Sequence, residues 1–237
     1  MLIDLHTHTI ASGNGSSDTI NEMAKEASLR HLTLLGISDH APAIMGSAKA
    51  SYFRSLKHAP RKRFSLPVLF GAEINIIDYN GSLDLDNGTL SCLDYGIASL
   101  HPPCLRPGTR EENTNSYIGA MKNPYVTIIG HPDDSRYPID YEALVRAAKQ
   151  YHILLEVNES SLSPTGYRGN AAACYQILLP LCARFQVPIL IGSDSHGKRH
   201  IGDSAFAEQL LADLSFPREL IMNDYPDKLK CYFHSIM

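Results

Sequence analysis

The chain opens with Leu2-Ile3-Asp4-Leu5-His6-Thr7-His8, a short apolar run that predicts a buried strand. Because side chains alternate along a strand, His6 and His8 would project from the same face, about 7 Å apart. Two imidazoles at the end of one strand can share a metal ion. A pair of solvated histidines at a frayed terminus is the alternative, and only the rest of the chain separates the two interpretations.

The length and composition favour one α/β domain spanning residues 1–237. The 237 residues include 44% hydrophobic side chains and carry a net charge of -4, which provides no general field for attracting nucleic acid. We expect the basic cluster Arg61-Lys62-Arg63 to lie in a solvated loop. Five scattered cysteines without a C-x-x-C pair, and no secretory or membrane-length apolar run, predict free thiols, a cytoplasmic location and no membrane partner.

Short apolar strands alternate with helical segments along the whole chain. Such alternation is typical of parallel strands joined by right-handed crossovers. The predicted strands cover residues 2–8, 32–38, 68–72, 95–100, 126–130, 153–157 and 188–193. The predicted helices cover residues 21–27, 113–122, 141–150, 171–185 and 205–214, and residues 220–222 are expected to form a small closing strand.

A side chain of a metal-binding type stands at the carboxyl end of nearly every predicted strand. These residues are His6, His8, His40, Glu73, His101, His131, Asp194 and His196. An open doubly wound sheet would hold the residues from its two edges too far apart to share a ligand. A closed sheet brings all strand ends to one mouth, where the active sites of such barrels gather. We therefore predict an α/β fold, a distorted (β/α)7 TIM-like barrel with a metal site at the C-terminal ends of its strands.

The clustering of these eight side chains has a chemical explanation. Buried imidazoles and carboxylates without partners would destabilise the fold, and bound metal cations would supply the missing partners. Mixed nitrogen and oxygen ligands suit zinc first, with manganese or iron as alternatives, at two or three ions per chain. The remaining histidines are interpreted as ordinary core or surface residues; they are His31, His58, His152, His200 and His234.

The order of these motifs resembles that of the PHP (polymerase and histidinol phosphatase) family, in its small single-domain phosphatase-like branch. The matching segments are His6-Thr7-His8-Thr9, Gly36-Ile37-Ser38-Asp39-His40, Gly71-Ala72-Glu73-Ile74-Asn75, Ala98-Ser99-Leu100-His101-Pro102, Ile129-Gly130-His131-Pro132 and Gly192-Ser193-Asp194-Ser195-His196. They run in order over nearly the whole chain. The resemblance implies a distorted seven-stranded barrel that holds a trinuclear metal centre and hydrolyses phosphate esters.

The resemblance also implies a ligand set for each ion. The sets are His6, His8, Glu73 and Asp194 for one ion, the shared Glu73 with His101 and His131 for a second, and His40 with His196 for a third. Relatives usually complete the third set with a histidine from the loop after strand one. Here the corresponding residue is Asn14, whose carbonyl oxygen is a poor ligand for zinc-like ions. That third site is expected to be weaker, to hold a different metal, or to be completed by water or by substrate phosphate.

We expect a phosphoesterase in which a metal-bound hydroxide attacks a small phosphomonoester, because bound metals lower the pKa of water. Arg168, in the loop after strand six, is predicted to clamp the phosphate, since a guanidinium can grip two oxygens. Asp39 is predicted to orient a ligand imidazole without binding metal itself.

Two other function classes remain open at this stage. A metal-dependent amidohydrolase also uses a His-x-His on strand one of a barrel, although Glu73 and the terminal Asp-x-His fit the phosphoesterase pattern better. A non-enzymatic metal-binding or nucleic-acid-associated module is the second, but the chain has no strongly basic face, so a nucleic-acid partner is not expected. The sequence leaves open whether the chain forms a homo-oligomer.

Overall fold

The computed structural model describes residues 1–233, and His234 lies outside the described residues. The strands are β1 Ile3–Asp4, β2 Thr7–His8, β3 Leu34–Ile37, β4 Lys62–Arg63, β5 Leu66–Asn75, β6 Tyr95–Ser99, β7 Ile128–Ile129, β8 Leu154–Asn158, β9 Ile189–Gly192 and β10 Ser195–His196. The α-helices are α1 Ile20–Leu29, α2 Ala50–Ser55, α3 Asn87–Leu90, α4 Arg110–Met121, α5 Tyr141–Tyr151, α6 Glu159–Leu162, α7 Ala171–Phe185, α8 Ala205–Asp213 and α9 Pro226–Leu229.

Seven parallel strands form a nearly closed, barrel-shaped sheet in the order β1-β3-β5-β6-β7-β8-β9. This order follows the chain, as expected for successive right-handed βαβ units. The prediction of a distorted seven-stranded α/β barrel is confirmed. The basic cluster was expected in a solvated loop, but Lys62 and Arg63 instead form β4, which pairs antiparallel with the start of β5.

The five predicted helices are present as α1, α4, α5, α7 and α8, each within three residues of its predicted ends. Local capping explains where they begin. Thr19 and Glu22 form a reciprocal capping box at α1, so two backbone N–H groups that the helix leaves unpaired are satisfied. Within residues 1–233, no helix combines the length and hydrophobicity needed to span a membrane. The five cysteines are free, as predicted.

The first predicted strand is broken into two pieces that have different partners. β1 pairs with β3, whereas β2 pairs with β10, which places His196 beside His8. Where the chain changes partner, the Thr7 hydroxyl donates to the Gly36 carbonyl at 2.6 Å, replacing a ladder hydrogen bond. The break therefore lets the first and last metal-binding motifs of the sequence meet at the mouth of the barrel.

At the bottom of the barrel, the gap between the first strand β1 and the last strand β9 is closed by a side chain rather than by a strand. Residues 220–222 were predicted as a closing strand, but they form parts of two 3₁₀-helices, Arg218–Leu220 and Met222–Asp224, with one isolated bridge from Ile221 to Ile189. The Asn223 amide accepts from the Ile191 N–H at 2.7 Å and donates to the Ile3 carbonyl at 2.8 Å. A carboxamide offers the donor and acceptor of a peptide group, so Asn223 bridges the gap between β9 and β1 as a strand would.

The interior of the barrel below the mouth is apolar. It is filled by inward residues of the strands and closed from below by Leu229 of α9; its buried members include Ile3, Leu5, Leu69, Tyr95, Ile128, Leu154 and Leu190. The Tyr95 hydroxyl donates to the Leu5 carbonyl at 2.6 Å, which satisfies a backbone group where the first strand is broken. The functional residues therefore lie above a packed, apolar barrel interior.

We predict that Asn223→Ala destabilises the fold by about 1–3 kcal/mol, because buried backbone groups of β9 and β1 lose their partner. The measurement is urea unfolding followed by circular dichroism. Asn115→Ala is the matched control, since Asn115 lies on the exposed side of α4. Equal unfolding midpoints for the two variants would contradict the role given to Asn223.

Candidate metal centre

The structure brings all eight predicted ligand residues together at the carboxyl ends of the strands. Most of them are almost completely buried: His6, His8, His40, Glu73, His101, His131 and Asp194. His196 differs, because 30% of its side chain is exposed. The cluster is therefore closed on the barrel side and opens to solvent at His196.

Glu73 stands at the centre of the cluster. Its two carboxylate oxygens lie 2.7 to 3.5 Å from ring nitrogens of five histidines, namely His6, His8, His40, His101 and His131. Two oxygens on one carboxylate can serve two different cations. This geometry suits the bridging position that the resemblance implies for Glu73.

Asp194 is the second carboxylate of the cluster. Its Oδ1 lies 3.2 Å from His8 Nε2 and 3.6 Å from His6 Nε2, while Oδ2 accepts a hydrogen bond from Arg168 Nη2 at 2.7 Å. Arg168 is only 2% exposed and also donates to Asn158, Ser161 and Tyr167. The phosphate-clamp role of Arg168 stays a prediction, and the structure adds that this guanidinium holds Asp194 in place.

The donor set fits metal ions. Among the described residues, most of the buried side-chain polar atoms that lack a hydrogen-bond partner belong to this cluster: His6 Nε2, His8 Nε2, His40 Nδ1, His101 Nε2, His131 Nδ1, Glu73 Oε2 and Asp194 Oδ1. Leaving so many buried polar atoms unpaired would be strongly destabilising. Three groups have ligand atoms within 4.8 Å of one another: His6-His8-Asp194, His40-Glu73-His101 and His8-His40-His196.

The charge states of Glu73 and His8 suit cation binding, whereas the carboxylates around His6, led by Glu156, outweigh its burial and hold the pKa of His6 well above its usual value in the absence of a cation. Burial alone would raise the pKa of Glu73, but the surrounding imidazoles, led by His40, hold that pKa well below its usual value. Burial, reinforced by the neighbouring His196 and His40, lowers the pKa of His8 well below its usual value. An ionised carboxylate and a neutral imidazole are the forms that bind metals.

Three supporting residues escaped the sequence analysis. The His6 ring donates through Nδ1 to Glu156 Oε1 at 2.6 Å, and the His101 ring donates through Nδ1 to Asn75 Oδ1 at 2.8 Å. His8 Nδ1 lies 3.0 Å from the Ser12 hydroxyl. In each case the outer ring nitrogen is engaged, so the inner nitrogen faces the centre of the cluster.

Glu156 could have been found from its sequence context. It is an acidic residue within the apolar run Leu154-Leu155-Glu156-Val157, and an acid inside such a run needs a specific partner. Its second oxygen accepts from the His131 backbone N–H at 2.7 Å, so one carboxylate braces two candidate ligands. Gly192 makes room for it, since a Cβ there would come within 2.1 Å of Glu156 Oε1.

One residue, Ser12, separates the Asp39 carboxylate from the ring of His8, a candidate ligand. The Asp39 carboxylate accepts from the Ser12 hydroxyl at 2.8 Å, and Ser12 in turn contacts His8. The Thr9 backbone N–H and the Tyr52 hydroxyl also donate to it, at 2.6 and 2.7 Å. Orientation of an imidazole by Asp39 stays a prediction, and in this geometry it would act through Ser12.

Asn14 lies at the open edge of the cluster. Its Nδ2 is 2.7 Å from Nε2 of His196, and the residue is exposed. The asparagine thus stands beside the third predicted ion position. Whether it binds an ion stays a prediction.

Comparison with known proteins agrees with this arrangement. The PHP domain model matches residues 4–161, two thirds of the chain, including six of the eight predicted ligands. The chain belongs to the PHP family. The prediction made from the motif order is therefore confirmed.

Two curated relatives resemble the chain over almost its full length. A probable phosphatase of Clostridium novyi (strain NT) is 42% identical over 234 residues, covering 99% of this chain and 95% of the relative. A probable phosphatase of Caldanaerobacter subterraneus subsp. tengcongensis is 42% identical over 233 residues, covering 98% and 91%. These relatives confirm the prediction of a phosphatase-type hydrolase and favour it over an amidohydrolase.

A solved structure confirms the fold of this PHP-family chain. The histidinol phosphate phosphatase of Lactococcus lactis subsp. lactis Il1403, complexed with zinc, L-histidinol and phosphate, superposes with a TM-score of 0.62. It covers 91% of this chain and 94% of its own, at 18% sequence identity. At that identity the likeness concerns the barrel itself.

We predict that Glu156→Gln weakens metal binding by about 10- to 100-fold, because the His6 ring loses its charged partner. The measurement is metal affinity in competition with a chromogenic chelator. Glu159→Gln is the matched control: Glu159 is also buried, but it accepts from the first backbone N–H groups of α8, at Phe206 and Ala207. Equal affinities in the two variants would show that Glu156 does not support the site.

Proposed function

We propose that this chain is a metal-dependent phosphomonoesterase that acts on a small phosphorylated substrate. It would bind two or three metal ions per chain, with zinc as the preferred metal. The observation that carries the proposal is the Glu73 carboxylate, buried among five imidazoles, four of which turn a nitrogen without a hydrogen-bond partner toward it: His6, His8, His40 and His101. The Lactococcus lactis neighbour is complexed with zinc, L-histidinol and phosphate, which supports both the metal and the substrate class. Manganese and iron remain alternatives, since they accept the same mixed ligands.

The ions would be held by His6, His8, His40, Glu73, His101, His131, Asp194 and His196, with Asn14 as an additional weak ligand. When bound, they would make hydroxide available near neutral pH and would neutralise phosphoryl oxygens. Glu73 would be shared between positions, because its two oxygens face different histidines. Glu156 and Asn75 would keep the rings of His6 and His101 turned inward.

The residues around the mouth define how a substrate would be received. The phosphoryl group would enter beside His196, the ligand candidate that is exposed. Arg168 brings a permanent positive charge next to Asp194 at the same mouth, which supports its proposed role in attracting phosphate. Asp39 would act as a positioning residue for His8 through Ser12.

We predict that a strong chelator abolishes hydrolysis of p-nitrophenyl phosphate, and that zinc, manganese or iron restores it. The Glu73→Ala variant should not recover, because it lacks the shared ligand, whereas Glu142→Ala, at a half-buried position in α5, should recover fully. Metal content is measured on each sample by elemental analysis. Full activity of protein shown to be free of metal would exclude the proposed mechanism.

We predict that Asn14→His raises metal occupancy at the position beside His40 and His196, because a third imidazole strengthens chelation. The unmodified protein should lose one ion first during mild chelation. The measurement is the number of ions retained per chain after stepwise dialysis against chelator. If the unmodified protein retains three ions equally well and the variant is identical, Asn14 is already an adequate ligand or lies away from the ion.

A further inference from the structure

The loop that carries Tyr167 and Arg168 packs against the mouth of the barrel. Gly166 allows a close approach, since a Cβ there would lie 2.3 Å from the Ser161 carbonyl oxygen. On the other side, the Ser135 backbone N–H donates to the Arg168 carbonyl at 3.0 Å. These contacts hold the loop backbone at Gly166 and at Arg168.

Arg168 connects this loop to the metal centre. Its Nη2 donates both to Asp194 Oδ2 at 2.7 Å and to the Tyr167 hydroxyl at 3.2 Å. The Tyr167 hydroxyl is thus separated from a candidate metal ligand by a single nitrogen atom. Because the guanidinium can only donate, the tyrosine oxygen must act as the acceptor, and its own proton points elsewhere.

That proton has no acceptor among residues 1–233, where the Tyr167 hydroxyl takes part in no other hydrogen bond. A phenol hydroxyl is protonated at neutral pH, so Tyr167 keeps this proton available for donation. The ring contacts two guanidinium groups, with its centroid 4.9 Å from Arg168 Cζ and 5.5 Å from Arg136 Cζ, and the residue is 62% exposed. An aromatic side chain that is this exposed, yet contacts two cationic groups at the mouth, is suited to contact a ligand.

We propose that Tyr167 is a substrate-binding residue whose hydroxyl donates a hydrogen bond to an oxygen of the phosphoryl group at the mouth of the barrel. This proposal rests on the proposed phosphomonoesterase function. The hydroxyl accepts from Arg168 while it donates to phosphate, so the arginine charge strengthens the donor. Tyr167 and Arg168 would act as a pair, with Tyr167 at the surface and Arg168 behind it.

The test compares Tyr167→Phe with the unmodified protein, both loaded with zinc. Inorganic phosphate binding is measured by calorimetry, and KM and kcat are measured with p-nitrophenyl phosphate. We expect the variant to bind phosphate about 10- to 100-fold more weakly and to show a matching rise in KM, because a hydrogen bond to a charged group is lost. Metal content should not change, since the phenylalanine ring leaves Arg168 paired with Asp194.

Tyr225→Phe is the matched control. Tyr225 also has a cation over its ring, Lys228 Nζ at 4.1 Å, but it packs near α9 at the bottom of the barrel. Equal phosphate affinity and KM in Tyr167→Phe and the unmodified protein would overturn the Tyr167 proposal alone. Loss of metal from Tyr167→Phe would also overturn it, because the residue would then act only by holding Arg168. An unmodified protein that neither binds phosphate nor hydrolyses the ester would overturn the proposed function as well.

Discussion

The rest of the structure depends on burying the Glu73 carboxylate. A carboxylate removed from water is stable only where positive charge or donors surround it, and the five imidazoles around Glu73 would hold the cations that supply that charge. Those imidazoles come from strands that lie far apart in the sequence, so the sheet has to curve until its ends meet. The sheet is closed at the top by the pairing of β2 with β10 and at the bottom by the side chain of Asn223.

Around Glu73 the side chains form successive layers: the carboxylate at the centre, then imidazoles, then hydrogen-bond acceptors behind them. The carboxylate is surrounded by imidazoles, and several imidazoles are held from behind by an acceptor: Glu156 for His6, Asn75 for His101 and Ser12 for His8. Each such ring has one nitrogen engaged by the protein and one facing the centre, which fixes its tautomer before any ion binds. Arg168 plays the corresponding role for Asp194, as a donor to an anion. The centre is preorganised by neutral and charged partners together.

Much of the fold and site could be predicted because their signals are local. Apolar runs of a few residues define strands, and a histidine or acid at the end of each run defines its functional end. The failures have a common cause. Residues 220–222 look like a strand, but the hydrogen bonds that close the seam come from the side chain of Asn223. The first strand looks continuous, yet its two halves pair with β3 and β10. The partner with which a strand pairs depends on the whole sheet, so it cannot be predicted from a short segment of the sequence.

By itself the sequence determined the fold class, the PHP-family motifs and the identity of the residues gathered at the mouth, because residue type and spacing along strands suffice for these. Only the tertiary structure decided that Glu73 is central, that Glu156 supports two of its neighbours, and that Arg168 lies buried between Asp194 and Tyr167. These relations join residues from different strands and loops. Their distances are set by barrel curvature and by packing, to which every strand contributes, so no single segment of the chain encodes them.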